Sequence, residues 1–324
     1  MQKYGIKSPY AIVTPAYNEA RFIAATIESV LAQTVRPLLW MIVDDGSTDD
    51  TAGVVQRYAK EHPWIQYVRR AKQPGQSYYA SNVCAIEAGL PHIGKLDYDY
   101  LAILDADISL PPDYYETVLT RMAGDNQLGI ASGVYVDRVG QGLRKVLNDR
   151  RSTPKALMVF RRACYDAIGG FVPLKYGGED TCACFAARMK GWKTWSFPNL
   201  VAVHNKPVGT GHAGNLVTIR FRQGWGEYFL ASHPLFMLAK CLRRCLKEPP
   251  FVVGGLARLT GYVGAWLNRQ QRQMPADLVS FIQKEQLARV FKGNHIPDAF
   301  RPVETTPASV ATVAAEPVGP GRGD

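Results

Sequence analysis

From Tyr10 to about Leu119, short apolar runs alternate with stretches of helical periodicity. Four runs are continuous enough to be buried strands: Ala11 to Thr14, Trp40 to Val43, Ile65 to Val68 and Tyr100 to Leu104. Between the first two, Phe22, Ile23, Thr26, Ile27, Val30 and Leu31 recur at helical spacing, with Asn18 as the expected cap. A second helix is predicted from the Ser47-Thr48-Asp49 cluster through Val54, Val55 and Tyr58, and a third from about Ser77 to Ala88. Strand and helix in alternation predict βα units, hence a Rossmann-like, mainly parallel sheet flanked by helices, of the α/β class.

After about Ile130 the runs shorten to ASGVYV, LMVF, TWSF and VAVH, ending at His204, with a helix predicted from about Glu179 to Lys190. This half reads as an α+β extension facing the same edge of the sheet. The divisions expected are an α/β domain over 1–210, its halves about 9–125 and 126–210, a helical basic region over 211–300, and a disordered tail over 301–324. That tail is rich in Pro, Ala, Val, Thr and Gly and carries no packing pattern.

Composition adds where the charge lies. The net charge is +10, and residues 211–300 hold 12 Lys and Arg against 5 Asp and Glu. No nucleic-acid reading motif accompanies this excess, so no nucleic-acid partner is expected. The same stretch holds the longest apolar segments, Tyr228 to Leu246 and Phe251 to Leu267, neither of which offers the ~20 uncharged residues of a spanning helix. With Trp225, Tyr262 and Trp266 and flanking cations, two readings stand side by side: peripheral membrane contact through 225–270, or a helical appendage packed on the first domain. The first residues lack an apolar secretory core, so a cytoplasmic protein is expected, with the inner membrane face as its possible docking surface. Six cysteines without CxxC spacing read as ordinary thiols.

Ligands of open α/β sheets bind outside the carboxyl ends of the strands. Here those ends read TPAYNE, DDGSTDD and DADISLPPD, three polar clusters on one edge. Asp105-Ala106-Asp107 offers two hard carboxylates that can hold Mg2+ or Mn2+ beside diphosphate oxygens, although two acids after a strand are more often a solvated loop or a cap. Asp44 and Asp45 sit too early to cap the following helix and suit base or ribose hydroxyls, whereas Asp49 and Asp50 are expected to cap it. Arg161, Arg162, Arg220 and Arg222 are further phosphate candidates, with surface solvation the default for each.

The ordered motifs TPAYNEA, VDDGSTDDT, ILDADI and GGEDTCACFAARMKGW resemble the family-2 glycosyltransferases with a GT-A fold, over about residues 9 to 205. The resemblance implies a nucleotide-sugar donor, a saccharide or lipid-linked acceptor, a divalent Mn2+ or Mg2+ and inversion at the anomeric carbon. The halves of 1–210 then become a donor half and an acceptor half. Pro15, Ala16, Tyr17 and Glu19 would line the nucleoside pocket, with Asp44 or Asp45 on the base and Gly75 nearby. Asp105, Ala106 and Asp107 would meet metal diphosphate, and Asp180 of the Glu179-Asp180 pair would be the catalytic base. An inverting transfer needs such a carboxylate to take the acceptor proton, and a helix N-terminus would tend to lower its pKa.

His204 stands where some relatives supply a third metal ligand, though a strand-end histidine is as readily structural. His212, in a glycine-rich loop, is a weaker candidate for donor phosphates or acceptor. Two departures stand out: Cys182 replaces an acid common two residues after the pair, and Gln76 replaces a usual basic residue, for which Lys72 or a residue of the second half would substitute. The rival readings are a nucleotidyltransferase, whose glycine-rich loop after the first strand is absent here, and a sugar-nucleotide-binding scaffold without turnover.

Overall fold

A computed structural model describes residues 8–73, 75–146, 149–206, 215–268, 272, 274–292 and 301–302. The first half runs β1 (Tyr10–Ala16), α1 (Ile23–Leu31), β2 (Leu39–Asp44), α2 (Thr51–Glu61), β3 (Ile65–Arg69), α3 (Tyr78–Ile93) and β4 (Tyr100–Ile103). The sheet orders these strands β3-β2-β1-β4, all parallel. Both faces are covered. Ile12, Trp40 and Ile42 enter one core layer, while Ala11, Val13, Met41 and Val43 enter the other, which is why these strands are apolar without alternation.

The chain continues through β5 (Ile108–Ser109), α4 (Tyr114–Gly124), β6 (Leu128–Val139), β7 (Gly142–Lys145), β8 (Val159–Arg161), α5 (Arg162–Ile168), α6 (Glu179–Met189) and β9 (Lys193–His204). Beyond β4 the sheet continues β8-β6-β9-β5, with β7 paired to β6. The predicted TWSF and VAVH strands form the single strand β9. Its Pro198 falls in the stretch passed over by the register, which pairs Ser132 with Ser196 and then Val134 with Val201. Such an irregularity tolerates a residue without an N–H. The expected helix caps also differ. Asn18 takes φ 56° and accepts a hydrogen bond from the Thr48 backbone N–H, leaving Phe22 at the start of α1. Asp49 accepts from the Thr51 N–H, whereas Asp50 makes no side-chain cap.

Helices α7 (Leu216–Phe229), α8 (Pro234–Lys247), α9 (Phe251–Leu267) and α10 (Ala276–Lys292) complete the described chain. Helices α7 and α9 approach so closely that a Cβ on Gly224 would lie 2.0 Å from the Arg258 carbonyl oxygen and one on Gly261 2.1 Å from that of Phe221. The end of α7 and helix α10 pack on the first domain, where Leu230, Leu278 and Ile282 meet Leu174, Cys182 and Phe185 in one buried cluster, while α8 and α9 pack on α7 and α10. Among the described residues, no helix is long and apolar enough to cross a membrane. The expected tail beyond Pro302 lies outside the described residues, as does His212.

Candidate active site

The carboxyl ends of β1, β2 and β4 open into one cleft lined by Pro15, Ala16, Tyr17, Glu19, Asp45, Asp105, Ala106 and Asp107, together with Lys72, Tyr78 and Asn82. Register explains the convergence: Ala16 pairs with Asp44, so β1 and β2 end level, while β4 stops at Ile103 opposite Val13 and the segment after it carries Asp105 to Asp107 to the same cleft. Gly46, at φ 80°, makes the turn after β2 that sends the chain away from the cleft.

Two predicted donor residues stand apart. Asp44 is fully buried, and its carboxylate accepts from the Ser47 backbone N–H at 2.7 Å and the Tyr67 hydroxyl at 2.8 Å. It holds the turn, and Asp45 alone of the pair faces the cleft. Gly75, at φ 80°, is exposed and is not among the cleft-lining residues. Asp45 is fixed by Arg70 Nε at 3.1 Å and by the Ser81 hydroxyl. Arg70 also bonds Gln76 Oε1, and Lys72 Nζ lies 3.7 Å above the Tyr17 ring in the cleft. Lys72 thus faces the cleft, whereas Arg70 is paired with Asp45.

The acids beyond β4 are each tied to a cation. Strand β5 pairs with β9 so that Ile108 faces His204, which brings His204 Nε2 to 3.2 Å from Asp107 Oδ2. The other ring nitrogen, Nδ1, meets Asp137 Oδ1 at 2.9 Å. Burial opposes the charged imidazole, but the hydrogen bonds to Asp107 and Asp137 prevail and raise its pKa to about 9. Lys206 Nζ bonds Glu19 at 2.7 Å, yet Glu19 Oε2 is buried without a hydrogen-bond partner, as is Asn82 Oδ1. Burial, reinforced by Asp107 and Asp105, lifts Glu19 to about 7.

Lys155, unremarked in the sequence, joins the two halves of the site. Its Nζ donates to Asp105 Oδ1 at 2.5 Å and also feels the charges of Glu179 and Asp180. Those two carboxylates begin α6 after the left-handed Gly177 and Gly178. Burial raises both, Glu179 to about 7, which reverses the lowering expected from the helix end. A helix terminus is worth less than ~2 kcal/mol, and removal from water outweighs it here. Cys182, in place of the family's acid, is buried against Leu230 and Ile282, and burial pushes its thiol up to about 12. The acid's position is used for packing against the C-terminal helices.

Three of the four arginines considered for phosphate are structural. Arg161 donates to the Met122 and Asp125 carbonyls, Arg162 to that of Leu96, and Arg220 pairs with Glu248. Among the described residues no cluster of three or more His, Cys, Asp or Glu is placed to hold a metal ion. Asp107 and His204 instead face each other through their hydrogen bond, a hard oxygen and an imidazole nitrogen whose ring Asp137 fixes, and an ion there would have to displace the proton between them. The set suits a divalent ion completed by diphosphate oxygens.

A mixed sheet whose parallel half ends in this acidic cleft, with an antiparallel-flanked second half and C-terminal helices, is a GT-A fold. Its likeness includes the mannosyltransferase PcManGT from Pyrobaculum calidifontis, solved in complex with GDP-Man and Mn2+, at TM-score 0.52 and 19% identity over 90% of this chain and 83% of that one. Residues 11–190, more than half of the chain, match the family described as Glycosyl transferase family 2. The chain belongs to that family. Its curated relatives include the chondroitin synthase of Escherichia coli, 32% identical over 118 residues, and the uncharacterized glycosyltransferase YibD of Escherichia coli K12, 29% identical over 121. The matches span 36% and 37% of this chain but only 16% and 32% of those relatives.

Proposed function

We propose that the chain is an inverting glycosyltransferase that moves a sugar from a nucleotide-sugar donor in the acidic cleft to a hydroxyl of a saccharide or lipid-linked acceptor, in cell-surface polysaccharide or glycolipid assembly. The observation that carries this reading is Lys155, which bonds Asp105 at the donor side and lies in the field of Glu179 and Asp180 at the other. In this reading that amine links the donor side to the base.

In this reading Asp45 and the orphaned Asn82 Oδ1 meet the nucleoside, and Tyr17 with Pro15 and Ala16 forms the wall of its pocket. Asp107 and His204 would hold Mn2+ or Mg2+, with Asp105 beside them. When bound, the ion would neutralise negative charge on the diphosphate. Asp180 takes the proton of the acceptor hydroxyl as its oxygen bonds the anomeric carbon, and the bond to the diphosphate breaks on the opposite face. Lys155 steadies Asp105 and opposes the rise that burial imposes on Glu179 and Asp180. Residues 1–210 form the catalytic domain, with 211–300 its helical companion.

Membrane contact belongs to the same reading. Leu238, Leu242 and Leu246 on α8 and Val252, Leu256 and Trp266 on α9 are all exposed, on helices whose other faces pack inward. Flotation with anionic vesicles, with and without residues 225–300, tests this; equal recovery of both forms would refute it.

The catalytic reading is tested with a panel of nucleotide sugars and Mn2+ or Mg2+, scoring nucleoside diphosphate release for wild type, Asp107→Ala and Asp180→Asn. Both variants should lose release, while Asp180→Asn still binds donor. A scaffold would bind donor without release in the wild type, and equal turnover in all three would overturn the assignments.

A further inference from the structure

A second cavity, of about 910 Å³, opens between the 149–152 segment, the start of α6 and helices α7, α8 and α10. Asp180 and Thr181 are among the residues that line it. Nine Lys and Arg residues line it beside three acids, Asp149, Asp180 and Glu227. The imbalance persists when the carboxylates behind the wall are included. Glu285 alone serves Arg151 at 3.4 Å, Arg188 at 2.8 Å and Arg289 at 3.1 Å, while Glu248 serves Arg244 and Arg258 as well as Arg220. Nine cations thus face five carboxylates.

Three of the nine are buried rather than solvated surface charges. The side chains of Arg151, Arg188 and Arg258 are 9%, 4% and 4% exposed. The Nε atoms of Arg151, Arg258 and Arg289 are buried with no hydrogen-bond partner. Burial, with Arg244 close by, draws the Arg258 guanidinium down to about 10. Each of the three is compensated only by a shared carboxylate, Arg151 and Arg188 by Glu285 and Arg258 by Glu248, so a further anion would complete their pairing. Nearer the rim, Arg150, Arg243 and Lys247 are exposed, and among the described residues no carboxylate pairs with them. A neutral saccharide would leave this surplus uncompensated, whereas phosphate or carboxylate oxygens would answer it bidentately.

We propose that this cavity is the acceptor site and that the acceptor is an anion, carrying phosphate-ester or carboxylate oxygens close to the hydroxyl that reaches Asp180. The proposal rests on Asp180 being the base. The shared chemistry is an oxyanion held by arginine, and its source is either a phosphorylated carrier or an acidic sugar.

Calorimetry on the full chain in EDTA, which removes metal-supported diphosphate binding at the donor cleft, tests it. The probes are inorganic pyrophosphate, a uronate-containing tetrasaccharide and the same tetrasaccharide with its carboxyls reduced. The proteins are wild type, the triple variant Arg150→Gln/Arg243→Gln/Lys247→Gln, whose exposed positions spare the core, and Asp107→Ala as the donor-cleft control. One or both anionic probes should bind wild type and Asp107→Ala alike, weakening roughly tenfold or more in the triple variant and on raising the salt. Preference for pyrophosphate assigns the phosphorylated carrier, and preference for the tetrasaccharide assigns the acidic sugar. The proposal is overturned if neither anion binds, if the reduced tetrasaccharide binds as well as the acidic one and pyrophosphate not at all, or if the triple variant binds like wild type. Donor turnover is scored separately by nucleoside diphosphate release, so loss of the enzyme reading would show there instead.

Discussion

The acidic cleft and the cationic cavity lie on either side of Lys155 and are built in opposite ways. The cleft is made by backbone: β1 and β2 end level with one another, and the segment that follows β4 brings Asp105 and Asp107 to the same cleft. The cavity is made by side chains from segments more than a hundred residues apart, such as Arg151 and Arg289 around Glu285. The contrast teaches that the acidic cleft follows from the strands and loops of the sheet, whereas the cationic cavity depends on side chains that the C-terminal helices bring against the first domain.

The largest effect should come from the acids that divide the two rooms. Asp180→Asn should lower turnover by about 10²- to 10⁴-fold, the usual worth of a general base, with donor affinity intact by calorimetry. Loss of donor affinity instead would move Asp180 into the cleft. Lys155→Met comes next. Without the amine the carboxylates at the start of α6 titrate higher still, so activity at neutral pH should fall while recovering in part as pH rises. A uniform loss at every pH would reduce Lys155 to a packing residue.

The pH profile of the wild type sharpens the same point. Asp180 is raised by burial and its neighbour Glu179 reaches about 7. The base acts when ionised, so kcat/KM should drop as pH falls below the neutral range, and a profile flat down to pH 5 would contradict it. Stability should run the other way. A carboxyl whose folded pKa is raised stabilises below its unfolded value and loses that contribution as pH rises through about 7. Glu179→Gln should therefore raise Tm by a few degrees at about pH 8 and change it little at pH 5. The smallest effect separates Asp45, just after β2, from Gly75, in the loop after β3. Asp45→Asn should weaken donor binding, whereas Gly75→Ala should leave it within about twofold because no atom stands within 4 Å of the added methyl; its left-handed backbone makes any penalty one of stability.

Much of the donor side was legible along the chain, because buried parallel strands are written as apolar runs and their last residues mark the site. His204 was legible for a related reason, standing at the end of the last strand. Lys155 was not, since a single lysine between Pro154 and Ala156 has no period and its partners lie 25 and 50 residues away in sequence. Asn18 misled because a capping residue and a residue at φ 56° draw on the same amino acid. The cationic cavity showed only as an excess of charge over 211–300, with no indication that much of it points inward.

Strand β9 acts as a ruler between the two chemistries. It leaves the end of α6, crosses the sheet and delivers His204 to Asp107 and Lys206 to Glu19. Side chains alternate along a strand, so adding or removing one residue between Val201 and Val203 would turn His204 to the opposite face and shift the lysine with it. Length in this stretch is therefore under tighter constraint than composition, and a variant one residue longer would keep every acid of the cleft yet lose the imidazole that faces them.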